Sequence, residues 1–503
     1  MRTKNSVRNV SFVLVGQLSA LVMSFIERTV FIKILDASYL GVNGLFSNIL
    51  MMLTLVELGI GWSIIYSLYK PIATRDEYKI QALMNLYAKA YKIIACIVFC
   101  LGISLTPFLD FLISDRPAIP HLELIYVLYV LNTTGTYLFA YKRSIIIADQ
   151  KSYIISSVHY ALFALRNIAQ IAVLVITRNF ILYVTMLIVF NIGENVIISL
   201  LANRIYPFLK KRKEAQLDKE TKSEIFRNVG ALIFHRMSGV VTNGTDNLVI
   251  AANIGVVWVG LYSNYYLIIT TVTGVLGQIF SAISASVGNL NATEDAEKKY
   301  RIFKVVNFTN YWMTGICSIC LWELLNPFIL LWIGKEYLLD EMVVIVLVVN
   351  FYLDGMRNST LTFKDAMGLF WQDRYKPVAQ ASINIVLSII LIKYIGIVGV
   401  FLGTLISKMA TAFWVEPYVV HKYGFQKPQG VYYFRYFVHS VLVGISILAI
   451  NFICSLVHQS DLIMFLFRWS LCLIVPNIVF WLAMRKTAEF AHVANILKAK
   501  IYS

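Results

Sequence analysis

The chain has 503 residues, of which 58% are hydrophobic and 14% charged, with a formal net charge of +16 and a mean hydropathy of +0.70. A soluble domain is about 45–50% apolar and about 25% charged, so composition excludes a soluble globular protein. The excess of Lys and Arg lies mostly in short connectors, which reads as the positive-inside bias of a membrane protein and gives no reason to expect a nucleic-acid partner.

Nearly uncharged runs of about 20 residues, enough to cross a hydrocarbon core about 30 Å thick, recur from end to end. Fourteen spans are expected. The basic start (Arg2, Lys4, Arg8) leads into the first, at 10–34, a full-length span rather than a short apolar run with a cleavage site. The second, 41–66, carries the word GLFSN at 44–48 and the phrase VELGIG. Spans at 92–114, 121–141, 153–176 and 180–203 complete a first group of six. A hydrophilic connector, 204–228, then contains PFLKKRKEAQLDKETKSEIFRN. Six more spans follow at 229–252, 257–285, 305–333, 342–363, 377–394 and 396–417, and two last ones at 434–457 and 462–484.

An even number of spans puts both termini on one side. With the termini in the cytoplasm, 33 of the 44 Lys and Arg fall at cytoplasmic tails, connectors or span ends, and only five (Lys33, Arg116, Arg178, Lys335, Lys393) fall outside. That asymmetry sets the expected orientation. GLYSN at 260–264 repeats GLFSN 216 positions later and opens the eighth span as GLFSN opens the second. The expected fold is therefore an all-α polytopic membrane protein. Two six-helix bundles, 1–203 and 229–417, form a parallel repeat about an axis along the membrane normal. The cytoplasmic linker 204–228 joins them, and 418–503 adds two further transmembrane helices and a cytoplasmic tail. In that tail Phe490, Val493, Leu497 and Ile501 share a helical face. An interfacial helix and a solvated tail both fit.

Charges inside spans cost roughly 2.5–3.5 kcal/mol each on insertion scales, so each needs a partner or a water-filled cavity. Asp354 and Arg357 are three apart and can neutralise each other on one helix. Glu27 and Arg28 are adjacent and point apart, close enough to a span end for Arg28 to snorkel. Glu416 and Arg468 are also near span ends, where snorkelling or pairing suffices. Arg166 and Lys408 are central, and Arg236 and Asp246 stand well inside the seventh span. These four suggest a cavity with three cations and one acid, suited to an anionic substrate that Arg can clamp through its planar fork. Asp246, between Asn243 and Asn247, could be a proton or Na⁺ site or a counter-ion to a cation on another helix. Glu57 and Asp354 are further candidates for ion coupling or counter-ion roles.

All six cysteines fall inside spans without His or carboxylate clusters and read as small apolar packers. No phosphate-binding glycine loop, HExxH or GxSxG is present, so no cofactor, metal or enzymatic activity is expected. Energy for transport would come from an ion gradient, the substrate gradient or a partner. The outer connectors are too short to fold into a domain, which counts against a membrane glycosyltransferase or polysaccharide polymerase.

Three stretches carry a family resemblance: ILDASYLGVNGLFSNILMMLTLVELGIGWSIIYSLYKPIA (34–73), TDNLVIAANIGVVWVGLYSNYYLIITTV (245–272) and SASVGNL (284–290). They resemble the Wzx-type polysaccharide and O-antigen flippases of the multidrug/oligosaccharidyl-lipid/polysaccharide (MOP) exporter superfamily. The resemblance implies a bundle alternating between inward- and outward-open states in the bacterial cytoplasmic membrane. It implies export of undecaprenyl-diphosphate-linked oligosaccharide units, for capsule or O-antigen synthesis, through a cationic central cavity. It points to Arg28 by position, and less firmly to Arg236, Lys408 and Asp246. Coupling to H⁺ or Na⁺ is likewise an implication of the family. The expected partners are the lipid-linked oligosaccharide and membrane lipids; docking with a polysaccharide polymerase and chain-length regulator is left open. The alternative is a multidrug exporter of the same superfamily driven by an ion gradient, against which the two extra spans and the in-span cations count.

Overall fold

The structure is a computed structural model that describes residues 2–57, 60–210, 217, 244–457 and 460–501. Among the described residues there are helices and connectors but no strands. Among the described residues ten helices are long and apolar enough to cross a membrane, and Ala37–Leu53 adds a shorter apolar one. The ten coincide with ten of the expected spans. Of the other four, two are the helices Arg2–Ile34 and Leu122–Ala140. The second span is broken, and most of the seventh, like most of the 204–228 linker, lies outside the described residues. Apolar side chains such as Phe111, Ile176, Leu448 and Phe452 stand 66–82% exposed. Hydrocarbon accommodates such a surface, and water on that scale does not.

The chain divides into two compact units, Met1–Gly260 and Leu261–Ser503. We number the α-helices of six residues or more in chain order. The first unit holds α1 (Arg2–Ile34), α2 (Ala37–Leu53), α3 (Ile60–Thr74), α4 (Glu77–Ser104), α5 (Leu122–Ala140), α6 (Arg143–Ala148), α7 (Ser152–Thr177), α8 (Phe180–Ile205), α9 (244–254) and the start of α10 (Val256–Thr293). α1 packs along α7, and α5 lies against α4 and α8. Phe31 is held edge-on between Phe180 and Tyr183. Asp36 caps α2 by accepting from the Ser38 and Tyr39 amides, and Asp76 and Asn179 cap α4 and α8 in the same way. These caps place polar residues at helix starts, where free amides need acceptors.

Two glycine contacts position α2 against α10. A Cβ on Gly41 would stand 1.8 Å from the Val256 carbonyl oxygen, and one on Gly260 would stand 2.2 Å from that of Ala37. Gly260 begins the second copy of the repeated word, and Gly44, which begins the first, faces Val259. The repeat thus lies where two backbones touch, and only residues without a side chain permit that approach. α9 ends at Gly255, whose φ of +101° lets the chain turn directly into α10.

The second unit holds α11 (Ala296–Ile333), α12 (Glu341–Met356), α13 (Asn358–Ala366), α14 (Lys376–Ile395), α15 (Ile397–Ala410), α16 (Ala412–Val419), α17 (Gly430–Ser455), α18 (Asp461–Met484) and α19 (Ala488–Ile501). α14 and α15 form a tight hairpin, and α11 packs against α12, α17 and α18. An aromatic core of Phe303, Tyr311, Phe363, Phe425, Tyr432 and Tyr436 fills the space between them. The last helix is docked at its start: Glu489 accepts from Arg435 at 2.8 Å, and Phe490 stacks on Trp312 at 6.0 Å. The six cysteines are free thiols.

Four spans expected to be single helices are interrupted: the third by the 3-10 turn Thr106–Phe108, and three others beside buried or half-buried charge. α2 gives way to a 3-10 turn, Thr54–Glu57, before α3. α12 stops at Arg357 before α13, and α15 stops at Thr411 before α16. Hydropathy does not register such breaks, because the side chains on either side remain apolar. Irregular backbone at membrane depth is tolerated where protein or a cavity surrounds it.

Candidate functional site

The second unit has a charged centre built on two of these breaks. Arg357, at the end of α12, donates from Nε to Glu416 Oε2 at 2.8 Å and from Nη2 to Glu416 Oε1 at 2.7 Å. Lys376, at the start of α14, donates to the same Oε1 at 2.6 Å. Arg357 also reaches Asp354 at 3.0 Å, the pair expected from their three-residue spacing. Lys408 donates to Asp354 Oδ2 at 2.7 Å and to Asn350 Oδ1 at 3.1 Å. The Glu416 side chain has no exposure, whereas that of Asp354 is 47% exposed. Of the pairing or snorkelling expected for Glu416, the structure shows pairing. The irregular turn at Thr411 lies between Lys408 on α15 and Glu416 on α16. There Glu416 stays internal and meets two cations.

These five side chains carry three positive and two negative charges, so most of the charge is neutralised within the protein. Two of the three ammonium hydrogens of Lys408 are thereby taken up, by Asp354 and Asn350.

The first unit has a polar cavity of about 400 Å³. Glu57 stands in the 3-10 turn on its wall and accepts from the Tyr91 hydroxyl at 2.5 Å. Glu194 accepts from Arg143 and lies 3.1 Å from His159 Nδ1. Asn191 links the wall to Arg166: it accepts from Arg166 at 3.0 Å and donates to Asn132 at 3.1 Å. The Arg166 guanidinium also stacks over Phe163 at 4.7 Å.

The residues singled out from sequence are divided between the two units. Glu57 and Arg166 belong to the first unit's cavity, directly and through Asn191. Lys408 and Asp354 are bonded to each other in the second unit. Arg28 is half-buried on α1, beside Glu27, which accepts from Tyr183 at 2.5 Å. Asp246 is half-buried on α9. Arg236 lies outside the described residues. Arg468 meets Glu323 at 3.6 Å.

Sequence reasoning did not single out Arg143, His159 or Lys376. Arg143 and Lys376 sit at span ends, where a cation is ordinary, and His159 is a lone histidine on an apolar helix. The available signal was the number of amides, Asn132, Asn191 and Asn195, in two otherwise apolar spans.

No protein-family model matches the sequence, and no curated protein matches it. Solved structures do. An inward-facing multidrug resistance transporter of the MATE family, of the MOP superfamily, superposes with a TM-score of 0.63 at 14% identity, covering 81% of this chain and 97% of that one. The lipid II flippase MurJ, in an inward closed conformation, gives 0.65 at 15% identity, covering 95% of this chain and 99% of that one. The MATE transporter VcmN of Vibrio cholerae gives 0.58 at 10% identity, covering 84% and 97%. At these identities the likeness is one of fold. The chain is a multi-pass, all-α membrane protein with the fold of the MOP-superfamily transporters.

Proposed function

We propose that the protein is a flippase that exports undecaprenyl-diphosphate-linked oligosaccharide units across the bacterial cytoplasmic membrane, by alternating access, for surface polysaccharide synthesis. The observation that carries this reading is coverage. The lipid II flippase structure spans 95% of this chain, against 81–84% for three MATE structures. Arg28, Arg166, Arg236 and Lys408 are the cations proposed to meet the diphosphate, with Asp246, Glu57 and Asp354 as ion-coupling or counter-ion groups. Both termini are placed in the cytoplasm on the distribution of Lys and Arg.

Mass spectrometry of lipids from cells lacking the protein tests this. Accumulation of a diphosphate-linked oligosaccharide, reversed by the intact gene, is the expected result. An unchanged lipid pool in cells making the polysaccharide would overturn it. The MATE-like fold supports one second reading, an ion-driven multidrug exporter, for which dye efflux from vesicles holding the purified protein is the test.

A further inference from the structure

A smaller pocket, of about 290 Å³, lies in the second unit between the last turns of α11 and the first turns of α18. The ends of two spanning helices meet there, so it sits where hydrocarbon gives way to headgroups. Its wall is amphipathic. Leu330, Leu331, Met464 and Phe465 form the apolar part, and Asn326, Asp461 and Arg468 the polar part. Leu330 and Leu331 remain exposed, which on a spanning helix leaves them to acyl chains.

The polar groups have bonding capacity left. The Asn326 carbonyl accepts from the Tyr265 hydroxyl at 2.5 Å, which leaves the amide nitrogen as its donor to a ligand. Arg468 carries five N–H donors, more than Glu323, 3.6 Å from Nη1, and the Cys454 thiol can use. Asp461 presents an exposed carboxylate at the start of α18. Helical side chains lean toward the N-terminus of their helix, so Arg468, about two turns further along α18, leans back toward Asp461. The two charges of the wall cancel. Glu323, buried beside Arg468, adds a negative one. An anionic headgroup would meet that surplus acid, whereas a headgroup that carries a phosphate and an ammonium together complements both ends of the wall.

We propose that this pocket holds the headgroup of a zwitterionic phospholipid with a primary ammonium, a phosphatidylethanolamine, as a resident of the bilayer and not as transported cargo. The phosphate takes N–H donors from Arg468 and Asn326, and the ammonium donates to Asp461. The pocket has room for the headgroup, and the acyl chains run outside it along Leu330 and Leu331. In place, the lipid ties α18 to α11 at the end where Arg468 and Glu323 join them only loosely. The inference needs a membrane-spanning chain and is independent of what the protein transports.

The test uses the full-length protein in nanodiscs of phosphatidylethanolamine, phosphatidylcholine and phosphatidylglycerol in equal parts, with the same acyl chains. Native mass spectrometry of the released protein counts the lipids it retains. Phosphatidylethanolamine should be retained about tenfold over either of the others, on the order of one charge-assisted hydrogen bond. Asp461→Asn should cut that preference to about twofold or less with an unchanged melting temperature, since the residue is exposed. Asp461→Glu, which keeps the charge, should keep the preference. The double variant Arg468→Gln/Glu323→Gln, which leaves no orphaned ion, should lower retention of all three lipids together by about tenfold. Equal retention of the three lipids by the parent protein, a preference for phosphatidylglycerol, or a phosphatidylethanolamine preference undiminished in Asp461→Asn would overturn the site.

Discussion

Glu416→Gln removes the charge at the middle of the second unit's ion-pair network. The carboxylate is fully buried and takes three hydrogen bonds from Arg357 and Lys376, whose side chains are only 14% and 10% exposed. Without it, both cations remain buried, and Arg357 keeps Asp354, which is already shared with Lys408. Removing one partner of a buried pair costs about 3–5 kcal/mol because the other charge stays buried and unmatched. Asp354→Asn serves as the contrast: its carboxylate is half exposed and solvent screens its pairs, so although Lys408 stays buried a smaller loss, about 1–3 kcal/mol, is expected. Thermal unfolding of the purified protein in detergent should rank the parent above Asp354→Asn, and Asp354→Asn well above Glu416→Gln. Adding Lys376→Met to Glu416→Gln should recover part of the loss by removing one orphaned charge. A Glu416→Gln protein as stable as the parent, or no more damaged than Asp354→Asn, would refute the view that this network neutralises itself inside the bundle.

Gly260→Ala should destabilise the first unit by about 1–3 kcal/mol, the usual cost of overpacking, because its methyl would meet the Ala37 carbonyl. Gly277→Ala on the same helix has open space and should be neutral or slightly stabilising; melting curves compare the two. Arg28→Ala and Arg166→Ala should abolish surface polysaccharide at normal protein levels, read by immunoblot beside polysaccharide staining. Normal polysaccharide in both would remove the cationic clamp. The start of α19 should respond to acid. Burial raises the Glu489 carboxyl, but hydrogen bonds from the backbone and from Arg435 outweigh it and hold the group below the ordinary carboxylate value. A lowered folded pKa contributes stability that is present above the unfolded value and lost as pH falls through the folded one. Hydrogen exchange of the first turn of α19 should thus be slow at neutral pH and rise below about pH 4, and Glu489→Gln should flatten that dependence.

Much of the helical layout was legible because lipid imposes a long, uncharged run on each spanning helix. Ten of the helices lie where hydropathy puts them, and the i,i+3 pair Asp354–Arg357 follows from helical spacing alone. The GLFSN/GLYSN repeat could be read as a trace of duplication. That it marks the contact of α2 with α10 could not, because a close backbone approach depends on what lies opposite each glycine.

The partners of the charges were the larger omission. Glu416 meets Lys376 across 40 positions and Arg357 across 59, and Glu194 meets Arg143 across 51. Sequence establishes that a charge in a span must be compensated, since the cost of an isolated ion in hydrocarbon does not depend on the fold. Which group compensates it is set by how helices from distant parts of the chain rotate and break against one another. Only the tertiary structure fixes that: within the second unit it gives Lys408 to Asp354, and within the first it gives Glu194 to Arg143.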